Sequence, residues 1–139
     1  MKIKPSKQTD NRTETLRWQG KIWLEGKQGT FMGYGRVVLL ERIRDHGSIS
    51  LAAKSMKMSY KHAWDLLDSM NSQVDTSLVK TKRGGKNGGG ASLTPAGEQA
   101  IALFWEFSNR LHEILQEMTD CLSALKFPQD PQDPQDPQE

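Results

Sequence analysis

Residues 48–71, SISLAAKSMKMSYKHAWDLLDSMN, admit little other than two short helices joined by a tight turn. Ser48 has the chemistry of an N-cap, and Ile49, Leu51, Ala52 and Met56 give the first helix an apolar face. Lys57 and Met58 form the expected turn, and Ser59 supplies a second N-cap. Ala63, Leu66, Leu67 and Met70 then recur at three- and four-residue steps along the helix that follows. The small pair Ala52 and Ala53 lets one helix cross closely over another. This is the pattern of a helix-turn-helix, whose second helix characteristically enters the DNA major groove. An ordinary helical hairpin inside a core has the same pattern, and these residues by themselves leave both open.

The flanking chain adds structure on both sides. Residues 16–32 are β-like: Trp18, Ile22, Trp23 and Leu24 precede Gly26-Lys27-Gln28-Gly29, and Thr30, Phe31 and Met32 follow. That spacing predicts a hairpin with a four-residue turn, its tryptophans serving as packing residues. Two strands alone are marginally stable, so the hairpin must lie on another element. Arg36 to His46 is expected as a helix with Val37, Leu40 and Ile43 on one side, stopped by Gly47. Downstream, Leu78 to Arg83 predicts a strand with alternate bases, Gly84 to Gly90 a glycine-rich tip, and Ala91 to Thr94 a returning strand. Together these make a wing. Lys80, Lys82, Arg83 and Lys86 fall here with no acid between Leu78 and Thr94, and glycine backbone lets amides approach a phosphate. Five glycines in seven residues also describe a merely flexible tip.

Thr94 caps a last helix, with Pro95 at its first position, that runs toward Leu125. Ile101, Phe104, Ser108, Leu111, Leu115, Met118, Leu122 and Leu125 keep an unbroken heptad register with one polar member. Leu103, Phe107, Ile114 and Cys121 form a second stripe. A chain of 139 residues supports one domain with a modest core, and a helix this long cannot bury both stripes against it. The first stripe is therefore expected to meet a second copy of the chain through Ile101, Phe104, Leu111, Leu115, Met118, Leu122 and Leu125. The second is expected to lie on a winged domain. A helix packed wholly within one subunit is the alternative.

Several function classes find no support. With 35% hydrophobic and 26% charged residues and no run long enough to span a bilayer, no membrane role is expected. A single cysteine permits no internal disulfide, and the polar N-terminus is no signal peptide, so a reducing, cytoplasmic setting is expected. His46, His62 and His112 lack metal-ligand spacing, and Cys121 on an apolar face suggests a packed small hydrophobe. His62 and Asp65 share a helix face and are expected to form no more than a solvated pair. Gly85-Lys86 lacks the rest of a Walker loop, and Val38 stands where a dinucleotide fingerprint after Gly33 and Gly35 needs its third glycine. No enzyme activity, metal or cofactor is expected. The stretch from Pro128 carries four acids and no base, so the net charge of +2 becomes +6 when that stretch is set aside.

The runs GSISLAAKSMKMSYKHAWDLLDSMN and RGGKNGGGASLTPAGE, with the hairpin and helix before them, resemble the N-terminal winged-helix domain of ModE-type, molybdate-responsive transcription regulators. The similarity covers about residues 16–125, and the LTPAGE turn is shared with LysR-type regulators. It implies a mainly α fold with small β: a winged helix-turn-helix with an N-terminal β-hairpin and a long C-terminal dimerisation helix. It also implies a homodimer on palindromic double-stranded DNA. Residues 1–15 become a flexible N-terminus, 16–94 the DNA-binding domain, 95–127 the dimerisation helix and 128–139 a disordered PQD-repeat tail. DNA contacts fall to Ser48, Ser59, Tyr60, Lys61 and His62 of the helix-turn-helix and to Lys80, Lys82, Arg83, Lys86 and Asn87 of the wing. Lys61 would meet a guanine edge, Ser59 and Tyr60 would grip phosphates, and Trp64, facing away from Lys61, would be structural.

Two departures accompany the resemblance. Lys57 stands where the family commonly has glycine, which predicts a strained or altered turn. Full-length members also carry C-terminal oxyanion-binding domains that sense molybdate, whereas this chain passes into the acidic repeat, and molybdate sensing is not carried over. Two rival classes stand beside DNA binding: a winged-helix protein-interaction module, and an oxyanion-binding protein using the glycine loop as an amide nest. An effector or protein partner besides DNA is left open.

Overall fold

The computed structural model describes residues 16–82 and 89–125. In chain order these form β1 (Leu24–Gly26), β2 (Gly29–Met32), α1 (Tyr34–His46), α2 (Ile49–Ser55), α3 (Tyr60–Asn71), β3 (Val79–Thr81), β4 (Ala91–Leu93) and α4 (Pro95–Asp120), with a 3₁₀ turn at Cys121–Ala124. The strands make two separate antiparallel pairs, β1–β2 and β3–β4. A mainly helical winged helix-turn-helix, with a hairpin ahead of it and a long helix behind, is what the sequence predicts and what the chain adopts.

The helix ends follow from local chemistry. Ser48 Oγ accepts the Leu51 N–H at 3.2 Å and starts α2; Ser59 Oγ accepts the His62 N–H at 3.0 Å and starts α3. Thr94 Oγ1 accepts the Gly97 N–H at 3.1 Å and donates to the Ser77 carbonyl at 2.6 Å, so one hydroxyl both caps α4 and ties it to the approach of β3. Gly47, at φ 68°, closes α1 in the left-handed conformation that favours glycine. At its start α1 is longer than expected. The Val37 N–H donates to the Gly33 carbonyl at 2.9 Å, so the helix begins at Tyr34 rather than Arg36.

The hairpin differs more. Gly26 and Gly29 pair with each other across the strands, leaving Lys27 and Gln28 alone at the turn instead of four residues. Its tryptophans are not core residues: Trp18 is 55% and Trp23 58% exposed. The Trp23 indole N–H donates to Glu25 Oε1 at 2.8 Å, so the ring is held by its polar edge. The hairpin lies on α3. Met32 is buried in the core, and the Gln73 amide, just past α3, donates to the Thr30 carbonyl at 3.2 Å.

Lys21–Ser108 form one compact unit. Its core joins Met32, Val37, Leu39, Leu40 and Ile43 to Ile49, Ala52 and Ala53 of α2 and to Ala63, Leu67 and Met70 of α3. The first half of α4 belongs to this core as well. The Trp105 indole N–H donates to Glu41 Oε1 at 3.3 Å, Arg44 reaches Glu98 at 3.1 Å, and Tyr34 meets Trp105 edge-on at 6.0 Å. Gly97 allows the approach, because a Cβ there would collide with the Leu78 carbonyl.

That approach corrects part of the expected subunit interface. Ile101 and Phe104 are buried at 4% and 9% in the core of the single chain, so they are not available to a second copy. The other unit contains, among the described residues, 16–20 together with 109–125. There Leu111 and Leu115 stand against Gly20, and the Trp18 N–H donates to Thr119 Oγ1 at 2.9 Å. The two leucines are half-buried. The second stripe is the open one: Leu103, Phe107, Ile114 and Cys121 are all exposed, which corrects the expectation that Cys121 is packed. Met118 and Leu125 from the first stripe are also exposed. Met118 falls on the edge shared by the two stripes, whose centres lie ~80° apart around the helix, whereas Leu125 lies beyond the end of α4 in extended backbone.

Candidate nucleic-acid interface

The phase of α3 is set by its buried side. Ala63, Leu67 and Met70 are buried and Leu66 and Trp64 half-buried, which turns Lys61 outward in the first turn; Tyr60 and His62, at the helix end, are exposed too. Trp64 packs on the core and meets the Tyr60 ring edge-on at 6.1 Å, consistent with a structural role. Charge divides along the helix. Lys61 and His62 lie at its N-terminal end, whereas Asp65 and Asp68, both exposed, lie further along. Amide dipoles add to that polarity, so the N-terminal end is the one that attracts a phosphodiester. His62 and Asp65, expected to pair at most weakly, make no ion pair among the described residues.

Ser48 and Ser59 use their oxygens as acceptors for the capping bonds. Each hydroxyl keeps its proton, and a capping serine can therefore donate to a phosphate oxygen without releasing the helix. Ser59 is exposed and Ser48 half-buried.

The wing is anchored at its base from two directions. The Ala91 N–H donates to the Gly47 carbonyl at 2.9 Å, next to the Ser48 cap. Asn71 Oδ1 accepts the Leu78 N–H at 2.9 Å and ties the end of α3 to the start of β3. In β3, Val79 points into the core while Lys80 and the following Lys82 are exposed, and Lys80 pairs with Ser92 across the ladder. The Lys82 N–H continues the pairing to the Gly90 carbonyl at 2.8 Å. Arg83, Lys86 and Asn87 lie outside the described residues. Asn71 was missed as a positioning residue by sequence reasoning. A polar side chain ending an amphipathic helix gives no hint of which amide it will accept. Arg36 is a second such residue. Its guanidinium donates to Ser69 Oγ at 2.9 Å, joining α1 to α3, and burial lowers its pKa from the ordinary value.

Between α2 and α3 the chain makes a Schellman turn. The Met58 N–H donates to the Ala53 carbonyl and the Lys57 N–H to the Lys54 carbonyl, both at 3.1 Å. The residue at its centre, Lys57, has φ 57°, the one positive φ outside glycine among the described residues. The strained turn expected from the sequence is therefore present, and a left-handed conformation costs a side-chain-bearing residue roughly 1–2 kcal/mol. Lys54, Lys57, Lys61, Lys80 and Lys82 are all exposed, and none forms an ion pair among the described residues. Arg44 contrasts with them, held among Glu41, Asp45 and Glu98. Unpaired, solvated ammonium groups keep their charge available to an anion.

Among the described residues no group of three or more His, Cys, Asp or Glu could hold a metal ion, and no helix is long and apolar enough to cross a membrane.

The family described as bacterial regulatory helix-turn-helix protein, lysR family, matches residues 35–98. The chain is 41% identical over 97 residues to the molybdenum-pterin-binding protein MopB of Rhodobacter capsulatus, covering 70% of this chain and 36% of that protein. It is 40% identical over 109 residues to the transcriptional regulator ModE of Yersinia pestis, covering 78% and 40%. The DNA-binding transcriptional dual regulator ModE of Escherichia coli K12 is 41% identical over 109 residues, covering 78% and 37%. The chain thus spans about two-fifths or less of the length of these relatives.

Proposed function

We propose that the chain is a helix-turn-helix transcriptional regulator of the ModE type that binds duplex DNA as a homodimer. One observation carries this above all: a buried anchor of Ala63, Leu67 and Met70 turns Lys61 outward at the N-terminal end of α3, where Tyr60 and His62 are exposed as well. Lys61 donates to a guanine edge, Ser59 and Tyr60 hold phosphates, and Lys80 and Lys82 neutralise the backbone beside the wing. Two subunits related by a twofold axis then read a palindromic site, with α3 of each in successive major grooves. The subunits meet through the exposed stripe Leu103, Phe107, Ile114 and Met118 of α4, which the single chain leaves uncovered. The protein works in the cytoplasm, with the duplex it binds, and needs no cofactor for that step.

Duplexes selected from a random pool, followed by gel shifts over a salt series, test this. Lys61→Ala is expected to lower specific affinity by roughly 1–3 kcal/mol while leaving scrambled duplex almost unaffected. Equal loss on both duplexes removes the base contact. Salt-insensitive capture of a protein with no duplex binding supports the interaction-module class instead. A melting temperature raised by molybdate or tungstate in the absence of DNA supports the oxyanion class.

A further inference from the structure

Lys57 occupies a position whose backbone favours glycine, and nothing in the fold uses its side chain. Both turn bonds are made by main-chain groups, so the Schellman geometry needs only the backbone at this residue. The ammonium group is exposed and has neither a hydrogen bond nor an ion pair among the described residues. Its two neighbours in the turn, Met56 and Met58, pack against the core and fix the strained conformation from either side. A residue held in a sparsely populated conformation with no return to stability directs attention to function. Its place supplies one. Lys57 lies two residues before the Ser59 cap, on the link that sets how α3 is presented, with Lys54 and Lys61 exposed three residues before and four after it.

We propose that Lys57 is a phosphate anchor: a positioning residue at the helix-turn-helix turn that clamps the DNA backbone beside α3 and orients the helix for base contact. This rests on the DNA-binding function proposed above. Stability and affinity at this position then oppose each other, which an incidental surface lysine does not produce.

Three substitutions separate the contributions. Lys57→Gly relieves the backbone and removes the charge. Its melting temperature should rise by about 4 °C or more, while affinity for the selected duplex falls roughly three- to tenfold. The slope of log affinity against log salt should become shallower by about 0.9. Lys57→Gln keeps the strained backbone without the charge, so it should show the same loss of slope with an unchanged melt. Lys57→Arg should retain the wild-type slope. If the wild type binds the selected duplex and Lys57→Gln keeps its affinity and slope, this assignment is overturned while the DNA-binding function stands. If the wild type ignores every duplex at low salt, the DNA-binding function falls and this assignment falls with it.

Discussion

Glutamate in place of Phe107 should leave a folded monomer with little grip on a palindromic site. Phe107 is 60% exposed in the single chain, so a charged residue there removes no contact that holds the fold. Between two copies, the same substitution places a carboxylate in a desolvated apolar seam, which association cannot offset. Each half-site then binds without its partner, and affinity for the full site should fall by about 10²–10⁴-fold. Sedimentation should show a monomer, and the melt of dilute protein should stay close to wild type. Ile114→Glu should behave in the same way. Ile101→Glu should instead unfold the chain, because that side chain belongs to its own core. A dimer that survives both the Phe107 and Ile114 substitutions contradicts the proposed interface.

The second large effect concerns the phase of α3. Leu67 is 1% exposed, and Leu67→Ala should cost about 2–5 kcal/mol. Small domains have only about 5–15 kcal/mol in hand, so the melting temperature should drop by roughly 10 °C or more. Leu66, one position earlier, is half-buried, and Leu66→Ala should cost distinctly less. The contrast between adjacent leucines reports which way the helix is turned, and hence whether Lys61 faces outward. Equal losses at the two positions contradict the assigned phase.

Caps were legible in the sequence because capping is local. A serine or threonine ahead of an apolar run satisfies amides within three residues, and Ser48, Ser59 and Thr94 do so without help from distant parts of the chain. The strain at Lys57 was legible only through the resemblance, because the family commonly has glycine at that position. The start of α1 was not, since Gly33 and Gly35 on either side of Tyr34 resemble a breaker until the Val37 amide is known to reach back to Gly33. The tryptophans misled because large apolar side chains suggest a core, yet Trp23 needs a partner for its indole N–H and finds Glu25 on the surface.

The most instructive case is α4. Heptad spacing identified its apolar positions correctly but carried no information about which neighbour covers each one. Ile101 and Phe104 are covered by the chain itself because Gly97 admits the Leu78 carbonyl, a close approach that no periodicity encodes. The stripe containing Phe107 and Ile114 was left open as a result. Within the candidate site, Tyr60, Lys61 and His62 were picked out because they open the second helix, whereas the tethers through Asn71 and Gly47 depend on long-range pairing.

A hydroxyl-radical footprint of the wild-type protein on its selected duplex addresses the twofold reader most directly. Two protected half-sites are expected, related by a dyad and centred about 10 base pairs apart or a multiple of that spacing. A single unpaired patch of protection, or none at low ionic strength, would contradict it.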